Sequence, residues 1–424
     1  LAQDLAESVC KAAGIDYAAC TVLATLKGSA FELMRAKHPL FDRESVILNG
    51  EHVTLEAGSG CVHTAPGFGA EDFQICQQYD KAGLTHIGVP VPVNAKGVMT
   101  DERYNGQFYA KGNDMVVADL EAEGFLVAKE NITHSYPHCW RTDKPVLYYP
   151  LDSWFIRTTA LRERMIELNK TIRWKPESTG TGRFGKWLEG LVDWNLSRSR
   201  FWGTPLPVWA TEDYSELKCI GSIEELTGEI EKSVAAGFMK ENPYKNFKVG
   251  DMSAENYSTK NIDLHRPYVD GIVLVSSKGE PMKRESDLID VWFDSGAMPY
   301  AQLHYPFENG GEHFKTVYPA DFIAEGVDQT RGWFFTLHAI ASMLFDSVAF
   351  KNIISNGLVL DKNGNKMSKR LGNGVDPFEV LATYGADATR WYMISNSQPW
   401  DNLKFDRDGV DEVRRKFFGT LYNT

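Results

Sequence analysis

The amino-acid sequence predicts an α/β protein, with a mainly parallel sheet in the last third of the chain and a β-rich unit before it. From residue 286 onward, segments typical of strands and of helices alternate, and such alternation forms a mainly parallel sheet. Within residues 45–64, short apolar runs are separated by Gly and Asn, which is typical of strands at hairpin spacing.

The bulk composition is that of a globular protein. The chain has 424 residues, of which 43% are hydrophobic and 24% are charged. This length suggests about two or three domains. The net charge of −12 argues against a generally cationic nucleic-acid-binding surface, although a local basic patch could serve. Six scattered cysteines without a CxxC pair fit a reducing cytoplasm. We find no signal peptide and no apolar run long enough to span a membrane.

Elements of the first part follow from periodicity and from proline. Apolar residues recur at helical spacing in residues 1–9, and residues 71–83, "EDFQICQQYDKAG", also predict a short helix. Residues 87–94, "IGVPVPVN", are expected to be extended, because proline disfavours helix at its own position and at the residue before it. Residues 210–285 are polar and weakly patterned, which indicates an insertion.

The last part has the clearest pattern. Residues 321–326, "DFIAEG", predict an apolar strand, residues 330–345 a helix, and residues 352–360, "NIISNGLVL", a second strand. Ligands of such sheets bind at the carboxyl ends of the strands. Three polar residues fall at that edge after the first strand: Glu325, Asp328 and Gln329.

A basic loop follows the second strand. Residues 361–373, "DKNGNKMSKRLGN", carry four cationic side chains bracketed by Asn and Gly. Lysines on a mobile loop suit a polyphosphate, since they can hold the transition state more strongly than the ground state. A solvated surface loop is the alternative. Asp376 and Pro377 then predict a helix start, and Glu379 would complete a capping box.

Six segments in order resemble a known family. The pentapeptide KMSKR (366–370) resembles the KMSKS signature of class I aminoacyl-tRNA synthetases, and the other segments resemble the isoleucyl branch of that class. These segments are "GSGCVHTAPGFGAEDF" (58–73), "DWNLSRSRFWGTPLP" (193–207), "DVWFDSG" (290–296), "AEGVDQTRGWFFTL" (324–337) and "YGADATRWY" (384–392). The TR of "DQTRGWF" and the KMSKR form resemble the eukaryotic-type branch.

The resemblance implies a domain organisation. Residues 1–133 are expected to be the C-terminal part of a β-rich editing domain, and residues 134–196 a connection back to the catalytic core. Residues 197–405 would form the second half of a Rossmann-type catalytic domain, with the insertion at about 210–285. Residues 406–424 would begin a helical anticodon-binding domain. We expect the chain to be an internal piece of a longer protein, because the HIGH signature of the class would lie upstream.

The resemblance places isoleucyl-adenylate near Glu325, Asp328 and Gln329, where a carboxylate can hold an ammonium or a ribose hydroxyl group. It also implies that Trp292 and Trp333 form the walls of the isoleucine pocket. The plainer alternatives are that the two acids cap the following helix and that both tryptophans belong to the core.

The same resemblance gives the basic loop a catalytic role. Lys366 and Lys369 would bind the phosphates of ATP, with Lys369 the more important, and Ser368 would order the loop. Arg370 stands where Ser is commoner, and the sequence assigns it no role. Mg²⁺ is implied by the chemistry of ATP and not by a cluster of ligands.

Two residues match the family's hydrolytic editing site. Asp72 would bind the α-ammonium group of a wrong amino acid, and His63 would shape a pocket that excludes isoleucine. Such a second, smaller site compensates for the weak discrimination of one methylene group, worth only ~1–3 kcal/mol. The alternatives are a hydrogen-bonded strand histidine and a carboxylate at a helix start.

Three further segments could be taken for a class signature, a zinc site or a tRNA contact. "THIGVP" (85–90) contains HIG, but its prolines prevent the helix start that the HIGH signature requires. In "SYPHCWRTD" (135–143), Thr142 replaces a second cysteine, so Cys139 with His138 makes a poor tetrahedral site and no structural zinc is predicted. Arg198 and Arg200 could face tRNA phosphate or form internal ion pairs, and the sequence leaves both open.

The implied function of the parent protein is ATP-dependent aminoacylation of tRNA(Ile) with isoleucine, and hydrolysis of mischarged valine, by a cytoplasmic monomer. The isolated chain is not expected to form the adenylate alone. One alternative is a valyl or leucyl sister enzyme, against which "DVWFDSG" and "DQTRGWF" speak. The other is that the chain acts only as a tRNA-binding or editing module.

Overall fold

The computed structural model describes residues 1–56, 58–131, 133–139, 142–308, 311–368 and 372–424. The chain divides into two compact units, Leu1–Asp152 and Ser153–Thr424. This division falls inside the predicted connecting segment 134–196. Across the described residues, no helix is both long enough and apolar enough to cross a membrane.

Among its described residues, the first unit contains three α-helices, three short 3₁₀ helices and one pair of strands. Helices α1 (Ala6–Ala12), α2 (Ala70–Lys81) and α3 (Tyr109–Ala122) are joined by long connections, and β1 (Arg35–Lys37) pairs antiparallel with β2 (Glu44–Val46). The helices predicted at the start of the chain and over residues 71–83 are therefore confirmed. A small core surrounds α2, formed by Ile75, Cys76, Tyr79, Leu48 and Ile87.

The β-rich character predicted for this unit is wrong for the described residues. Beyond β2, no strand forms over residues 47–56 and 58–64, and in the unit only isolated bridges such as that of Val93 with Met99 add to the single strand pair. A strand is stable only where a neighbour satisfies its backbone groups. No described segment forms a strand pair or β-bridge with residues 53–56 or 58–64, and Leu55 and Val62 remain exposed.

The second unit begins with short elements that contribute buried residues, among them Met165, Trp174 and Phe184, to its main hydrophobic core. In chain order they are β3 (Phe155–Ile156), α4 (Arg162–Asn169), β4 (Arg173–Lys175), a π-helical turn (Thr179–Phe184), α5 (Gly185–Glu189), β5 (Trp194–Asn195) and β6 (Ser197–Arg198). β3 pairs antiparallel with β5. Trp174 and Phe184 from this stretch are buried against each other, with ring centroids 5.1 Å apart.

The predicted insertion folds around its own hydrophobic core. It contains β7 (Val208–Ala210), β8 (Leu217–Cys219), α6 (Ile223–Ala235), β9 (Val273–Val275) and β10 (Pro281–Arg284), and its sheet has the antiparallel order β8-β7-β10-β9. Trp209, Ile230 and Leu274 are among its buried residues. We call this segment, residues 208–284, the inserted module. Its three- and four-residue strands are too short to give a clear alternating pattern, which explains why the sequence looked weakly patterned.

The next stretch contains the sheet edge at which the sequence predicts a ligand. It contains β11 (Leu288–Ile289), α7 (Val291–Gly296), α8 (Met298–Ala301), α9 (Glu312–Val317), β12 (Ala320–Gly326), a 3₁₀ turn (Val327–Arg331), α10 (Trp333–Phe345), β13 (Phe350–Asn356) and β14 (Val359–Leu360). β11 pairs antiparallel with β6. β12 pairs in parallel with β13, and β13 in parallel with β4, so the predicted parallel sheet is confirmed. The apolar helix α10 is buried along most of its length in the main core.

The chain ends with a helical stretch. It comprises α11 (Pro377–Tyr384), α12 (Ala386–Ser395), β15 (Leu403–Lys404), α13 (Arg407–Glu412), a π-helical turn (Val413–Phe418) and α14 (Gly419–Asn423). Asp376 caps α11 as predicted, since its Oδ1 accepts from the Phe378 N–H at 2.8 Å. The predicted capping box does not close, because the Glu379 carboxylate instead pairs with Arg407, whose Nη2 lies 2.8 Å away.

Candidate active site

The carboxyl end of β12 presents polar side chains where the sequence predicts a ligand. Glu325 is exposed, and its carboxylate has no hydrogen bond or ion pair with any described side chain. Asp328 and Gln329 follow in the 3₁₀ turn, and Gln329 Nε2 donates to Asp328 Oδ2 at 3.2 Å. Gln329 Oε1 accepts from the Trp333 N–H at 3.0 Å. An amide and not a carboxylate therefore satisfies the start of α10, so Glu325 and Asp328 do not serve as its caps.

Two tryptophans converge on this turn from different helices. The ring of Trp292, at the start of α7, lies so close to Gly332 that a Cβ there would be 3.1 Å from its Cη2 atom. The Trp333 Nε1–H donates to the Ser295 carbonyl in α7 at 2.8 Å. Trp292 is 40% exposed, so part of this residue remains open to solvent. The structure thus brings Trp292, Gln329 and Trp333 together at one edge of the parallel sheet.

The helix α7, which carries Trp292, begins at a buried carboxylate, Asp290, to which the sequence analysis gave no role. Asp290 is 4% exposed and caps α7, its Oδ1 accepting from the Trp292 N–H at 3.2 Å. Its Oδ2 accepts from the Trp194 indole N–H at 3.1 Å and from Arg198 Nη2 at 2.7 Å. The signal was present in the sequence, because an Asp directly before an apolar helical segment is typical of an N-cap.

The structure also decides between the two alternatives for Arg198. Its guanidinium pairs with Asp290 and donates to the Asn195 carbonyl at 2.8 Å, so the internal ion pair applies. The Arg200 carbonyl accepts from Arg266 Nη1 at 2.9 Å, and Trp202 stacks on His265 with ring centroids 4.6 Å apart.

The basic loop is closed at its base by two side chains. Asp361 accepts from the backbone N–H groups of Asn363 and Asn365, at 2.9 and 2.8 Å. Asn373 Nδ2 donates to Asp361 Oδ2 at 3.0 Å and to the Lys366 carbonyl at 3.2 Å. These hydrogen bonds, that of the Asn365 N–H first, hold the pKa of Asp361 below its usual value.

Part of the predicted phosphate site belongs to this closed loop. The Ser368 N–H donates to Asn373 Oδ1 at 2.9 Å, which ties Ser368 to the base of the loop. Lys366 is exposed and forms no ion pair with a described residue. Lys369 and Arg370 lie outside the described residues.

The two predicted editing residues lie in the first unit. His63 is exposed and lines a broad open depression together with Thr64 and Phe68. Asp72 lies in the first turn of α2, with its carboxylate folded against Gly69, and it is not part of that lining. The structure therefore does not bring Asp72 into the depression with His63.

A neighbouring histidine was missed by sequence reasoning. His38 Nδ1 accepts from the backbone N–H groups of Leu40 and Phe41, at 3.1 and 3.2 Å. Burial first, and then the nearby Arg43 and His63, lower the pKa of His38 below its usual value. A lone histidine among loop residues gives no distinguishing pattern in sequence.

In the segment for which no structural zinc is predicted, Cys139 and His138 both contact main-chain atoms. The Cys139 N–H donates to the Lys144 carbonyl at 2.8 Å, and His138 Nδ1 lies 2.9 Å from the Tyr136 carbonyl oxygen. Within the part of the chain that the structure describes, no group of three or more His, Cys, Asp or Glu residues could hold a metal ion. Trp140 and Arg141 are outside that part, and the absence of zinc stays a prediction.

Curated proteins similar to this chain are isoleucine–tRNA ligases. That of Bacteroides fragilis is 61% identical over 419 residues, which cover 89% of this chain and 36% of that protein. That of Porphyromonas gingivalis is 57% identical, covering 95% and 39%, and that of Clostridium acetobutylicum is 46% identical, covering 89% and 34%. The chain thus spans little more than a third of the length of these relatives. They are bacterial, and the eukaryotic-type branch stays a prediction.

Similarity to solved structures is weaker. A methionyl-tRNA synthetase of Mycobacterium tuberculosis in complex with methionyl-adenylate aligns with a TM-score of 0.42 and 14% identity, covering 83% of this chain and 56% of that one.

The family described as "tRNA synthetases class I (I, L, M and V)" matches residues 72–406, which confirms the resemblance and the catalytic fold class that it implies. The chain belongs to the class I tRNA synthetases of this group.

Proposed function

We propose that a full-length protein carrying this sequence attaches isoleucine to tRNA(Ile) in an ATP-dependent reaction through isoleucyl-adenylate. The observation that carries the proposal is the convergence of Trp292, Gln329 and Trp333 at the carboxyl end of β12. It occurs in a chain that is 61% identical to an isoleucine–tRNA ligase over 89% of its length.

The side chains at this edge suit an aminoacyl-adenylate. The Glu325 carboxylate, which no described side chain engages, is available for the α-ammonium group or a ribose hydroxyl group. Gln329 already forms hydrogen bonds with the Trp333 N–H and with the Asp328 carboxylate. It would therefore hold the turn in place and, in addition, contact the ligand. The indole rings of Trp292 and Trp333 offer apolar walls that refuse bulk but discriminate a missing methylene group by only ~1–3 kcal/mol.

The basic loop supplies charge for the phosphates. Lys366 and Lys369 would neutralise the negative charge that develops as pyrophosphate leaves, and the hydrogen bond between Ser368 and Asn373 orders the loop that carries them. Mg²⁺ accompanies ATP and supplies further charge neutralisation on its phosphates. ATP and tRNA(Ile) are thus the proposed partners. The full-length protein is proposed to act as a monomer in the cytoplasm.

Hydrolytic editing is the second part of the proposal. The first unit would contribute His63 and Asp72 to a site that removes mischarged valine. The open depression supports this role for His63, which lines it, whereas Asp72 lies outside that lining and rests on the family resemblance alone. Residues 1–133 are proposed to belong to that editing domain, 134–196 to the connection, 197–405 to the catalytic domain and 406–424 to the start of the anticodon-binding domain.

The test is amino-acid-dependent exchange of pyrophosphate into ATP by the full-length protein. Isoleucine should drive exchange best, and Lys369→Ala should reduce the rate by about a hundredfold, because it removes a charge that stabilises the transition state. Lys362→Ala is the matched control, since Lys362 belongs to the same exposed loop but lies outside the KMSKR pentapeptide. Preference for valine or leucine would leave the class intact and overturn the isoleucine assignment.

The alternative of an isolated editing module has its own readout. The 424-residue chain should then deacylate valyl-tRNA without catalysing any exchange, and Asp72→Ala should abolish that hydrolysis. If the full-length protein catalyses amino-acid-dependent pyrophosphate exchange, the hypothesis that the whole protein is only an editing module is rejected.

A further inference from the structure

The six-residue helix α7 holds Trp292, and it cannot maintain its own position. A helix of this length is not stable in isolation, so its placement depends on contacts at its two ends. At its C-terminal end, Gly296 lies against α10, where a Cβ would be 2.9 Å from Ile340 Cδ1 and 3.0 Å from Thr336 Cβ. The Trp333 indole N–H also holds the Ser295 carbonyl there.

At the N-terminal end, the buried carboxylate of Asp290 makes three hydrogen bonds. Two further contacts hold the first turn: the Phe293 ring packs with Trp194, the centroids lying 6.1 Å apart, and Asp294 Oδ2 accepts from the Thr204 hydroxyl group at 3.1 Å. Asp290 Oδ1 caps the helix at the Trp292 N–H, and Oδ2 accepts from Trp194 in β5 and Arg198 in β6. The Asp290 N–H in turn donates to the Leu196 carbonyl at 2.7 Å. Asp290 therefore ties the first turn of α7 to the two strands β5 and β6.

The partners of Asp290 are themselves fixed. Trp194 is 8% exposed and packs with Phe335 of α10, the ring centroids lying 6.1 Å apart. The Arg198 guanidinium donates to the carbonyls of Asn195 and Ser197, at 2.8 and 2.9 Å, besides its pair with Asp290. The carboxylate thus has a rigid frame on one side and the backbone of Trp292 on the other.

We propose that Asp290 is a positioning residue that sets the pocket wall Trp292 and thereby the affinity for, and choice of, the amino-acid substrate. The proposal rests on the proposed function, because it takes Trp292 to contact that substrate. Asp290 does not touch the substrate. It acts through the direction in which the first turn of α7 presents the indole ring.

The test compares Asp290→Asn and Asp290→Ala in the full-length protein by pyrophosphate exchange, with isoleucine, valine and ATP titrated separately. Loss of a capping carboxylate should raise the KM for isoleucine about tenfold in the Ala variant and less in the Asn variant, which keeps an acceptor oxygen. The KM for ATP should not change, and the preference for isoleucine over valine should fall. Loss of stability alone would lower the active fraction, and hence kcat, without altering the KM for isoleucine.

Glu229→Gln and Glu229→Ala are the matched controls. Glu229 is a nearly buried carboxylate of the inserted module that pairs with Lys218 and Lys232, at 2.6 and 2.5 Å. These variants should lower the unfolding temperature and leave the KM for isoleucine unchanged. If the Asp290 variants behave in the same way, Asp290 only stabilises the fold and the proposal is overturned.

Failure of the proposed function gives a different result. If the wild-type protein prefers another amino acid, the isoleucine assignment fails, but the KM for that amino acid still decides the role of Asp290. If no amino acid drives exchange in the wild-type protein, both proposals are overturned.

Discussion

Gly332 lies where the ring of Trp292 approaches Gln329 of the 3₁₀ turn Val327–Arg331. A Cβ there would lie 2.8 Å from Gln329 Oε1 and 3.1 Å from Trp292 Cη2, both tighter than ordinary van der Waals contact. We expect Gly332→Ala to displace the Trp292 ring and to raise the KM for isoleucine about tenfold without changing the KM for ATP.

The control for Gly332→Ala is Gly228→Ala in α6, where a Cβ would meet nothing within 4 Å. That change should leave both KM values unaltered and stabilise the helix by about 0.5–1 kcal/mol. Unchanged kinetics in Gly332→Ala would mean that the ring of Trp292 does not line the amino-acid site.

A second prediction at this scale concerns His338 in α10. It is fully buried, its Nε2 contacts the Met165 carbonyl at 2.9 Å, and its Nδ1 has no partner among the described residues. Burial lowers the pKa of His338 from 6.5 to about 4. Between these values the unfolded chain binds a proton that the folded chain does not. Stability should therefore be complete above pH 6.5 and fall as the pH drops towards 4, by up to ~3 kcal/mol.

Urea unfolding at pH 7.5 and at pH 4.5 measures this contribution. His338→Gln should remove part of the pH dependence, whereas His313→Gln, at an exposed histidine of α9, should retain all of it. An equal pH dependence in all three proteins would contradict a depressed pKa for His338.

At the scale of elements, the closed base of the basic loop is the feature on which catalysis should depend. The Asn373 side chain forms hydrogen bonds with Asp361, the Lys366 carbonyl and the Ser368 N–H. Its amide therefore joins the start and the end of the loop. We expect Asn373→Ala to lower kcat of pyrophosphate exchange about tenfold, because the loop that carries the lysines loses its closed base. The KM for isoleucine should stay unchanged.

Asn363→Ala is the control in the same loop. Only the backbone N–H of Asn363 bonds to Asp361, so removal of its side chain should have little effect. Equal kinetics for the Asn373 and Asn363 variants would show that the closed base does not contribute to the rate.

At the scale of the whole molecule, the long apolar elements could be predicted and the short ones could not. The strands β12 and β13, each of seven residues, and helix α10 have patterns long enough to read. The parallel pairing follows from their alternation. The inserted module, by contrast, builds its core from strands of three and four residues, for which periodicity carries little information.

The candidate site shows the same division. Glu325 and Gln329 follow the end of a predicted strand, so local reasoning reached them, whereas Trp292 and Trp333 were reached only through the family resemblance of the motifs that contain them. The Asp290 contacts with Trp194 and Arg198 span 96 and 92 residues of sequence, and no local pattern predicts such pairs. The Glu379 pair with Arg407 displaced a predicted capping box for the same reason, since a distant guanidinium offers two charged hydrogen bonds.

The most direct test of the account is charging of a tRNA(Ile) transcript by the full-length protein, with labelled isoleucine and labelled valine in parallel reactions. The account predicts stable accumulation of isoleucyl-tRNA. With valine, it predicts ATP consumption without accumulation of valyl-tRNA, because editing removes the product. Stable accumulation of valyl-tRNA or leucyl-tRNA, with no isoleucyl-tRNA formed, would contradict the central claim.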